Sequence, residues 1–502
     1  DSVASRGLGD VYKRQILNDL SLTAIFANIL SVSLGILFGI LPGLTATMGV
    51  ALLIPLTFGL PADVAFSALL GMYLGAIYSG SITAILISTP GTPAAAATLL
   101  EGPALAAKGL SGKAITMTTV ASFIGGIFSC IVLIVVAPQL ARVALSFGPP
   151  EYFAIGLFGL GIVATLSSNV LFKGLIACAL GILIATIGLD PVTGSIREHF
   201  GYTELLGGVG ITPALVGLFA ISHVLIRLES KGAVDSTKQN LSKSKEQSSR
   251  LTLKDLVSNA FNFIRSSSIG TIIGIIPATG SGTASYVAYN EARRFSKHKE
   301  KFGTGHMPGL AATESANNAV TGGALIPLLT LGIPGDVVTA VLLGGIMLQG
   351  VTPGPLLFST NPEIVNLIYV LLIISNVFML IIGLLLARTF AKIIRIPEHY
   401  LIAIIVVLCI LGAYSVNNST FDVAIMLLFG LLGYFMEKFG YPLAALLLGF
   451  ILSPLIEENF RKALIMSEGN LMIFLERPVS LVFISVTLLI MVVVFVKELR
   501  NL

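Results

Sequence analysis

Residues 309–358 read GLAATESANNAVTGGALIPLLTLGIPGDVVTAVLLGGIMLQGVTPGPLLF. This apolar stretch holds only two ionisable side chains, Glu314 and Asp336, and Pro334-Gly335 interrupts it. Proline and glycine break helices, and non-helical backbone at membrane depth is tolerated only where protein buries it or where it lines a water-filled cavity. The stretch therefore predicts a broken helix that other helices enclose inside a membrane protein.

The composition of the whole chain favours the same environment. Of its 502 residues, 55% are hydrophobic and 11% are charged, and the mean hydropathy is +0.93. Soluble globular domains carry about 25% charged residues, which disfavours a soluble enzyme, a disordered protein and a nucleic-acid-binding protein. A transmembrane barrel is also disfavoured, because its alternating residues give a weak hydropathy signal. We predict an all-α polytopic protein of the lipid bilayer.

Charged residues mark the ends of the predicted spans. Six uncharged intervals each fit one helix at about 20 residues per span, and they are Lys113–Arg142, Glu151–Lys173, Glu204–Arg227, Glu363–Arg388, Glu398–Asp422 and Arg477–Lys497. Two longer intervals, Asp19–Asp63 and Asp63–Glu101, contain Pro42-Gly43 and Pro90-Gly91. We predict that each longer interval is a span followed by a broken or re-entrant helix.

A hydrophilic linker divides the chain near its middle. Residues 229–255 hold ten charged side chains and separate two predicted membrane repeats, residues 16–228 and 256–502. Residues 1–15 have no apolar core, and we expect them to be an artefact or a disordered tail.

Short motifs recur between the two parts in the same order. The pairs are GILPG at 39–43 with GIIPA at 274–278, PGT at 90–92 with PGD at 334–336, and PEYF at 150–153 with PEHY at 397–400. The basic loop 293–301 has an equivalent at 58–63 without positive charge, so the positive-inside rule predicts inverted repeats. Inverted repeats with broken helices are typical of secondary transporters, whose substrate site lies near the midplane.

Four stretches also carry a family resemblance. Residues 39–58, 75–109, 274–297 and 309–358 are similar to the large membrane subunit (TctA-type) of the bacterial tripartite tricarboxylate transporters. The resemblance runs from about residue 16 to the C-terminus. One departure is Ala278, where the family more often has glycine, so the two first breaks are not fully equivalent.

The resemblance implies cation-coupled uptake of citrate or related carboxylates across the bacterial inner membrane. It also implies two partners, a small four-span membrane subunit and an extracytoplasmic solute-binding protein. It implies a transporter rather than an enzyme, with no cofactor. A self-sufficient carboxylate symporter or exchanger stays open as an alternative. An intramembrane hydrolase is disfavoured, because Asp190, Asp336 and Asp422 lie at apparent span ends without a paired motif.

A carboxylate substrate needs hydrogen-bond donors and positive potential, which half-helix N-termini supply. The candidate substrate-binding residues flank the predicted breaks: Pro42, Gly43, Thr45, Thr47, Ser79, Ser81, Thr89, Pro90, Gly91 and Thr92, then Thr279, Ser281, Asn317, Asn318, Thr321, Pro334 and Gly335. The adjacent amides Asn317 and Asn318 are the best candidates, because buried amides are costly unless they are used. The alternative for each hydroxyl is packing at a helix contact with a bond to a backbone carbonyl.

Uptake of an anion into an inside-negative cell requires a coupled cation. A trivalent anion faces roughly 7 kcal/mol per 100 mV, so about three cations are needed for electroneutrality. The candidate cation-coupling residues are Asp336 and Glu314, and Asp336 has an alternative role as a helix N-cap. The scarcity of buried acids favours sodium over protons as the coupling ion.

Overall fold

The computed structural model describes residues 20–41, 43–166, 171–229, 251–277, 279–393 and 398–501. Among these residues, eight helices are long and apolar enough to cross a membrane. The prediction of an all-α polytopic membrane protein is therefore confirmed. The predicted tail, residues 1–15, and most of the predicted linker lie outside the described residues.

The first half of the chain folds into helices between Leu22 and Glu229. They are α1 (Leu22–Ile40), α2 (Ala46–Leu56), α3 (Ala62–Ile87), the 3₁₀ helix Pro93–Leu100, α4 (Gly102–Ala107), α5 (Ser111–Ala144), α6 (Pro149–Leu166), α7 (Leu171–Ala185) and α8 (Ile211–Glu229).

The second half begins with a short helix whose first three residues lie inside the predicted linker, residues 229–255. Its elements are α9 (Leu253–Ser258), α10 (Ala260–Ile275), α11 (Gly280–Phe295), α12 (Met307–Leu331), α13 (Val337–Leu348), α14 (Leu357–Thr360), α15 (Pro362–Ile393), α16 (Glu398–Asn417), α17 (Thr420–Lys438), α18 (Leu443–Met466), α19 (Ile473–Glu476) and α20 (Pro478–Asn501).

The uncharged intervals locate most of these helices. The six shorter intervals coincide with α5, α6, α8, α15, α16 and α20, and each longer interval holds a long helix, a break and a shorter helix. Helices α7, α17 and α18 were not outlined, because Lys173, Asp422 and Glu457 lie within them. A charge inside a helix hides that helix from a search for uncharged runs.

Small residues allow α1 to pack closely on α3, and α10 on α12. A Cβ atom on Gly35 would lie 2.6 Å from the Met72 carbonyl oxygen, and one on Gly270 would lie 2.3 Å from that of Ala316. Close backbone approach through small residues is a common mode of helix association in membranes. The two contacts occupy equivalent positions in the two halves, as the repeat of sequence motifs predicts.

The two halves also exchange contacts. Helix α5 of the first half packs on α12, and its counterpart α15 packs on α3. Similarly, α2 packs on α13, while α11 packs on the 3₁₀ helix Pro93–Leu100. Such reciprocal packing is consistent with two equivalent repeats, and their inverted orientation in the membrane stays a prediction.

Replacing Gly270 by alanine should destabilise the protein. The added methyl group meets a backbone carbonyl that cannot rotate away, and such overpacking costs about 1–3 kcal/mol. Thermal unfolding of the purified protein should show a lower midpoint for Gly270→Ala. The control is Gly207→Ala, because no described atom lies within 4 Å of a Cβ atom on Gly207. Equal midpoints for the two variants would contradict the close crossing.

Ion pairs fasten the loop between α7 and α8 to α18. The Asp190 carboxylate accepts hydrogen bonds from Arg197 (2.7 Å) and Arg461 (2.6 Å), and Arg197 also pairs with Glu457. The backbone N–H of Thr193, at 2.8 Å, is the main reason why the pKa of Asp190 lies well below its usual range, and the two arginines lower that pKa further. Ionised Asp190 therefore holds this loop in place.

Replacing Asp190 by asparagine should lower the thermal midpoint at pH 7. A carboxylate whose pKa is depressed by folding stabilises the protein above its unfolded pKa of about 4, and this contribution is lost as the pH falls further. The difference between wild type and Asp190→Asn should therefore shrink below about pH 4. Scanning fluorimetry across pH measures this difference. Glu458→Gln is the control, because the Glu458–Lys462 pair is exposed and exposed pairs contribute little.

Candidate functional site

The first break of the first half lies between α1 and α2. Leu41 leaves α1 in an extended conformation and Gly43 has φ +85°, which glycine adopts readily. Thr45 is the N-cap of α2, and its hydroxyl accepts a hydrogen bond from the Met48 backbone N–H at 3.1 Å. Thr47 is buried in the first turn of α2, whereas Pro42 lies outside the described residues.

A guanidinium group lies against this break. A Cβ atom on Gly43 would come within 1.7 Å of an Arg227 Nη atom, so the Arg227 head group occupies the space beside the turn. This places positive charge next to the N-terminus of α2. Sequence reasoning missed the contact, because Arg227 was read only as the end of a span.

The first break of the second half lies between α10 and α11. The Thr279 hydroxyl donates to the carbonyl oxygens of Ile273 (2.5 Å) and Ile276 (2.8 Å), so it closes the end of α10. Ser281 is buried in the first turn of α11. Ala278 lies outside the described residues.

The second breaks have the same construction in both halves. A Cβ atom on Gly91 would lie 1.9 Å from the Gly39 carbonyl oxygen, and one on Gly335 would lie 2.4 Å from that of Gly274. In each half the second break therefore packs against the residue that precedes the first break. The structure brings both predicted breaks of each half together, and glycine is the residue that fits there.

Asp336 has the contacts of a helix N-cap. Its Oδ1 accepts hydrogen bonds from the backbone N–H and the hydroxyl of Thr339, both at 2.7 Å, and Tyr73 donates to Oδ2 at 3.3 Å. Thr92 is the equivalent residue of the first half, and its buried hydroxyl has no hydrogen-bond partner among the described residues. The two breaks thus differ in charge and in capping.

Polar side chains gather where α12 meets the 3₁₀ helix, α3 and α5. The Thr98 hydroxyl donates to Glu314 Oε1, Asn318 Nδ2 donates to Ser122 Oγ at 2.7 Å, and Asn317 Nδ2 donates to the Ile77 carbonyl oxygen at 3.3 Å. The buried polar centre, as we name it, consists of Glu314, Asn317 and Asn318 on α12 together with Ser81, Thr98 and Ser122, all of them buried.

Three oxygen atoms of this centre are unsatisfied. Glu314 Oε2, Asn317 Oδ1 and Asn318 Oδ1 are buried and accept no hydrogen bond from any described residue. A buried acceptor without a partner costs about 1–3 kcal/mol. Such atoms are often explained by an ion or water that the side chains are arranged to hold.

Predicted hydroxyls, including Ser81 of the buried polar centre, bond to carbonyl oxygens of their own helices or of a neighbour. Ser81 donates to Tyr78 at 2.6 Å, and Thr321 donates to Asn318 at 2.6 Å. The remaining contacts are long, since Ser79 lies 3.4 Å from the Gly35 carbonyl oxygen and Thr89 lies 3.4 Å from that of Ile87. These contacts agree with the alternative given for each hydroxyl, in which it packs at a helix contact and bonds to a backbone carbonyl oxygen.

Pro90 is half-buried and Pro334 is buried within the second breaks.

Glu101 fixes one end of the 3₁₀ helix. Its fully buried carboxylate accepts from the backbone N–H groups of Gly303, Gly305 and His306, each at 2.7 Å, and from the Tyr289 hydroxyl at 2.9 Å. The loop that precedes α12 is thereby attached to the first half of the chain. Sequence reasoning read Glu101 as the end of a span and gave no sign of this contact.

An open cavity of about 610 Å³ lies elsewhere, beside the ion pairs of Arg197 and Glu457. Its lining residues include Phe153, Ile182 and Phe460. The predicted substrate-binding residues do not line this cavity. We therefore describe the breaks and the buried polar centre as the candidate functional site.

A polytopic helical protein whose halves carry paired helix breaks around buried polar groups has the architecture of a membrane transporter. The chain belongs to the tripartite tricarboxylate transporter TctA family, whose model matches residues 25–448. This is a family of transporters and not of enzymes. The resemblance noted in the sequence is confirmed.

Two proteins of Agrobacterium vitis are similar to this chain. An uncharacterised 52.8 kDa protein from the TAR-I ttuC′ 3′ region is 37% identical over 473 residues, which are 94% of this chain and 93% of that protein. A protein from the TAR-II ttuC′ 3′ region is 37% identical over 232 residues, which are 46% of this chain and 96% of that protein. No solved structure matches the chain.

Asp336 can be tested as a cap by two substitutions. Asp336→Ala removes the cap of α13 and should lower the free energy of unfolding by about 0.5–2 kcal/mol. Asp336→Asn should retain most of that stability, because asparagine is an equally good cap. Thermal unfolding of the purified variants compares them. Equal losses for both variants would show that the negative charge, rather than the cap, stabilises this break.

Proposed function

We propose that this chain is the translocation subunit of a cation-coupled, binding-protein-dependent secondary transporter. It imports citrate-like tricarboxylates or related carboxylates across the bacterial inner membrane by alternating access. The observation that carries the proposal is the matched pair of second breaks, Gly91 against Gly39 and Gly335 against Gly274. Together with the family's printed description, it favours a translocation pathway between two equivalent halves.

The breaks supply what an anionic substrate requires. Helices α2 and α11 begin at the first breaks, so their first N–H groups lack partners within the helix, whereas the Asp336 carboxylate already caps α13. Helix N-termini carry partial positive charge and bind anions. Arg227 beside Gly43 adds a full positive charge at one of them. The substrate carboxylates bind at these N-termini.

The contacts between halves support alternating access. The buried polar centre joins Thr98 of the first half to Glu314 of the second half. The α11 helix of the second half packs on the same 3₁₀ helix that carries Thr98. A movement of one half relative to the other must therefore change the environment of the site, as transport requires.

The coupling cation neutralises the charge of the substrate. Glu314 is the better candidate for this role, because one of its oxygens is unsatisfied, whereas Asp336 is engaged as a cap. Sodium is the expected ion and a proton is the alternative. The family name includes the word tripartite, and we assign the other two parts to a small four-span membrane subunit and an extracytoplasmic solute-binding protein.

Reconstitution tests this function. The tagged chain is purified from its native membrane together with what accompanies it, and proteoliposomes are then assayed with labelled citrate and a panel of di- and tricarboxylates. We expect carboxylate uptake that requires a small membrane subunit and a binding protein added outside. Equal uptake by the chain alone would instead establish the second candidate, a self-sufficient symporter or exchanger.

A further inference from the structure

We propose that the buried polar centre binds one sodium ion through Glu314, Asn317 and Asn318 of α12. The proposal rests on the proposed function only in making this ion the coupling cation. It reassigns the two amides from the substrate to the ion. It also separates the ion site from Asp336.

The three side chains share one face of the helix. Residues three and four positions apart on an α-helix are neighbours, so Asn317 and Asn318 both lie beside Glu314. Each of the three is at most 1% exposed. Each has one oxygen that accepts no hydrogen bond from a described residue. These atoms are Glu314 Oε2, Asn317 Oδ1 and Asn318 Oδ1. Three buried acceptor oxygens on neighbouring side chains of one helix face can together coordinate a cation.

The amide nitrogens are already engaged, which leaves the oxygens for a ligand. Asn317 Nδ2 donates to the Ile77 carbonyl oxygen, and Asn318 Nδ2 donates to Ser122 Oγ. The Thr98 hydroxyl donates to Glu314 Oε1, and the side chains of Ser81, Asn317 and Ser122 also lie close to this carboxyl group. The carboxyl group, the hydroxyls and the two amides all have oxygen atoms, and oxygen is the ligand atom that hard cations prefer.

A metal ion accounts for these atoms better than a proton does. A proton on Glu314 Oε2 would let that oxygen donate one hydrogen bond to one of the two amide oxygens, and the second amide oxygen would stay without a partner. A sodium ion would be coordinated by all three oxygens and would neutralise the carboxylate. The described side chains that approach Glu314 are uncharged, so a bound cation would be the positive partner that an ionised buried carboxylate requires. These observations favour sodium.

The first half has no equivalent site among its described residues. With the offset of 244 residues that relates Gly91 to Gly335, the corresponding positions on α3 are Leu70, Tyr73 and Leu74. Two of these side chains are apolar, and the Tyr73 hydroxyl donates to Asp336. We therefore expect one sodium ion of this kind per chain, and additional coupling ions would bind elsewhere.

Sodium binding can be measured on the purified full-length chain without transport. We expect NaCl to raise the thermal midpoint relative to choline chloride at equal ionic strength. We also expect saturable ²²Na⁺ binding that approaches one ion per chain at this site. A midpoint that follows pH, together with no ²²Na⁺ binding, would identify a proton site and overturn the proposal.

Substitutions locate the ion. Glu314→Gln and Asn318→Ala should each weaken sodium binding at least tenfold. Asn28→Ala is the matched control, because Asn28 is fully buried with an unsatisfied Oδ1 and its amide bonds to Ser67 and Ser375, outside the buried polar centre. If Glu314→Gln does not fold, Asn317→Ser and Asn318→Ala test the same site. Unchanged sodium affinity in these variants would overturn the assignment.

The outcome is separable from that of the proposed function. Carboxylate uptake by the reconstituted system without sodium binding would contradict the ion site alone. Specific sodium binding without uptake of any tested carboxylate would contradict the proposed function and leave the ion site standing.

Discussion

The carbonyl oxygens of Gly39 and Gly274 lie so close to Gly91 and Gly335 that neither position has room for a methyl group. These contacts fix the second break of each half against the first. Helices α1 and α3 also cross closely, as do α10 and α12, because a small residue at each crossing lets the two backbones approach. The breaks can therefore persist inside the membrane, because protein surrounds their non-helical backbone.

The second constraint is the unequal polarity of the two halves. Asp336 and Thr92 occupy equivalent positions, but one caps its helix through a carboxylate and the other has an unsatisfied hydroxyl. Likewise, α12 presents Glu314, Asn317 and Asn318 where α3 has two leucines and a tyrosine. A repeated backbone with different side chains lets one half hold the ion site while both halves contribute breaks.

The sequence predicted the fold class, most spans and the positions of the breaks, because uncharged runs and Pro-Gly pairs are local signals. It also singled out Asn317 and Asn318 as substrate-binding candidates, since buried amides are costly; both side chains are buried, and their binding role stays a prediction. It could not predict Thr98 and Ser122, because their partners Glu314 and Asn318 lie 216 and 196 residues away. For Glu101, a charge at a span end looks the same in sequence whether water or backbone N–H groups surround it.

The attachment of Glu101 to Gly303, Gly305 and His306 links a loop outside the spans to the 3₁₀ helix that carries Thr98. Lys301 in that loop is exposed, so a spectroscopic label can be placed there without entering the membrane. Because three hydrogen bonds to Glu101 hold the loop against the end of the 3₁₀ helix, the label would move with the wall of the site. The protein thus carries a natural reporter position for conformational change at its interior.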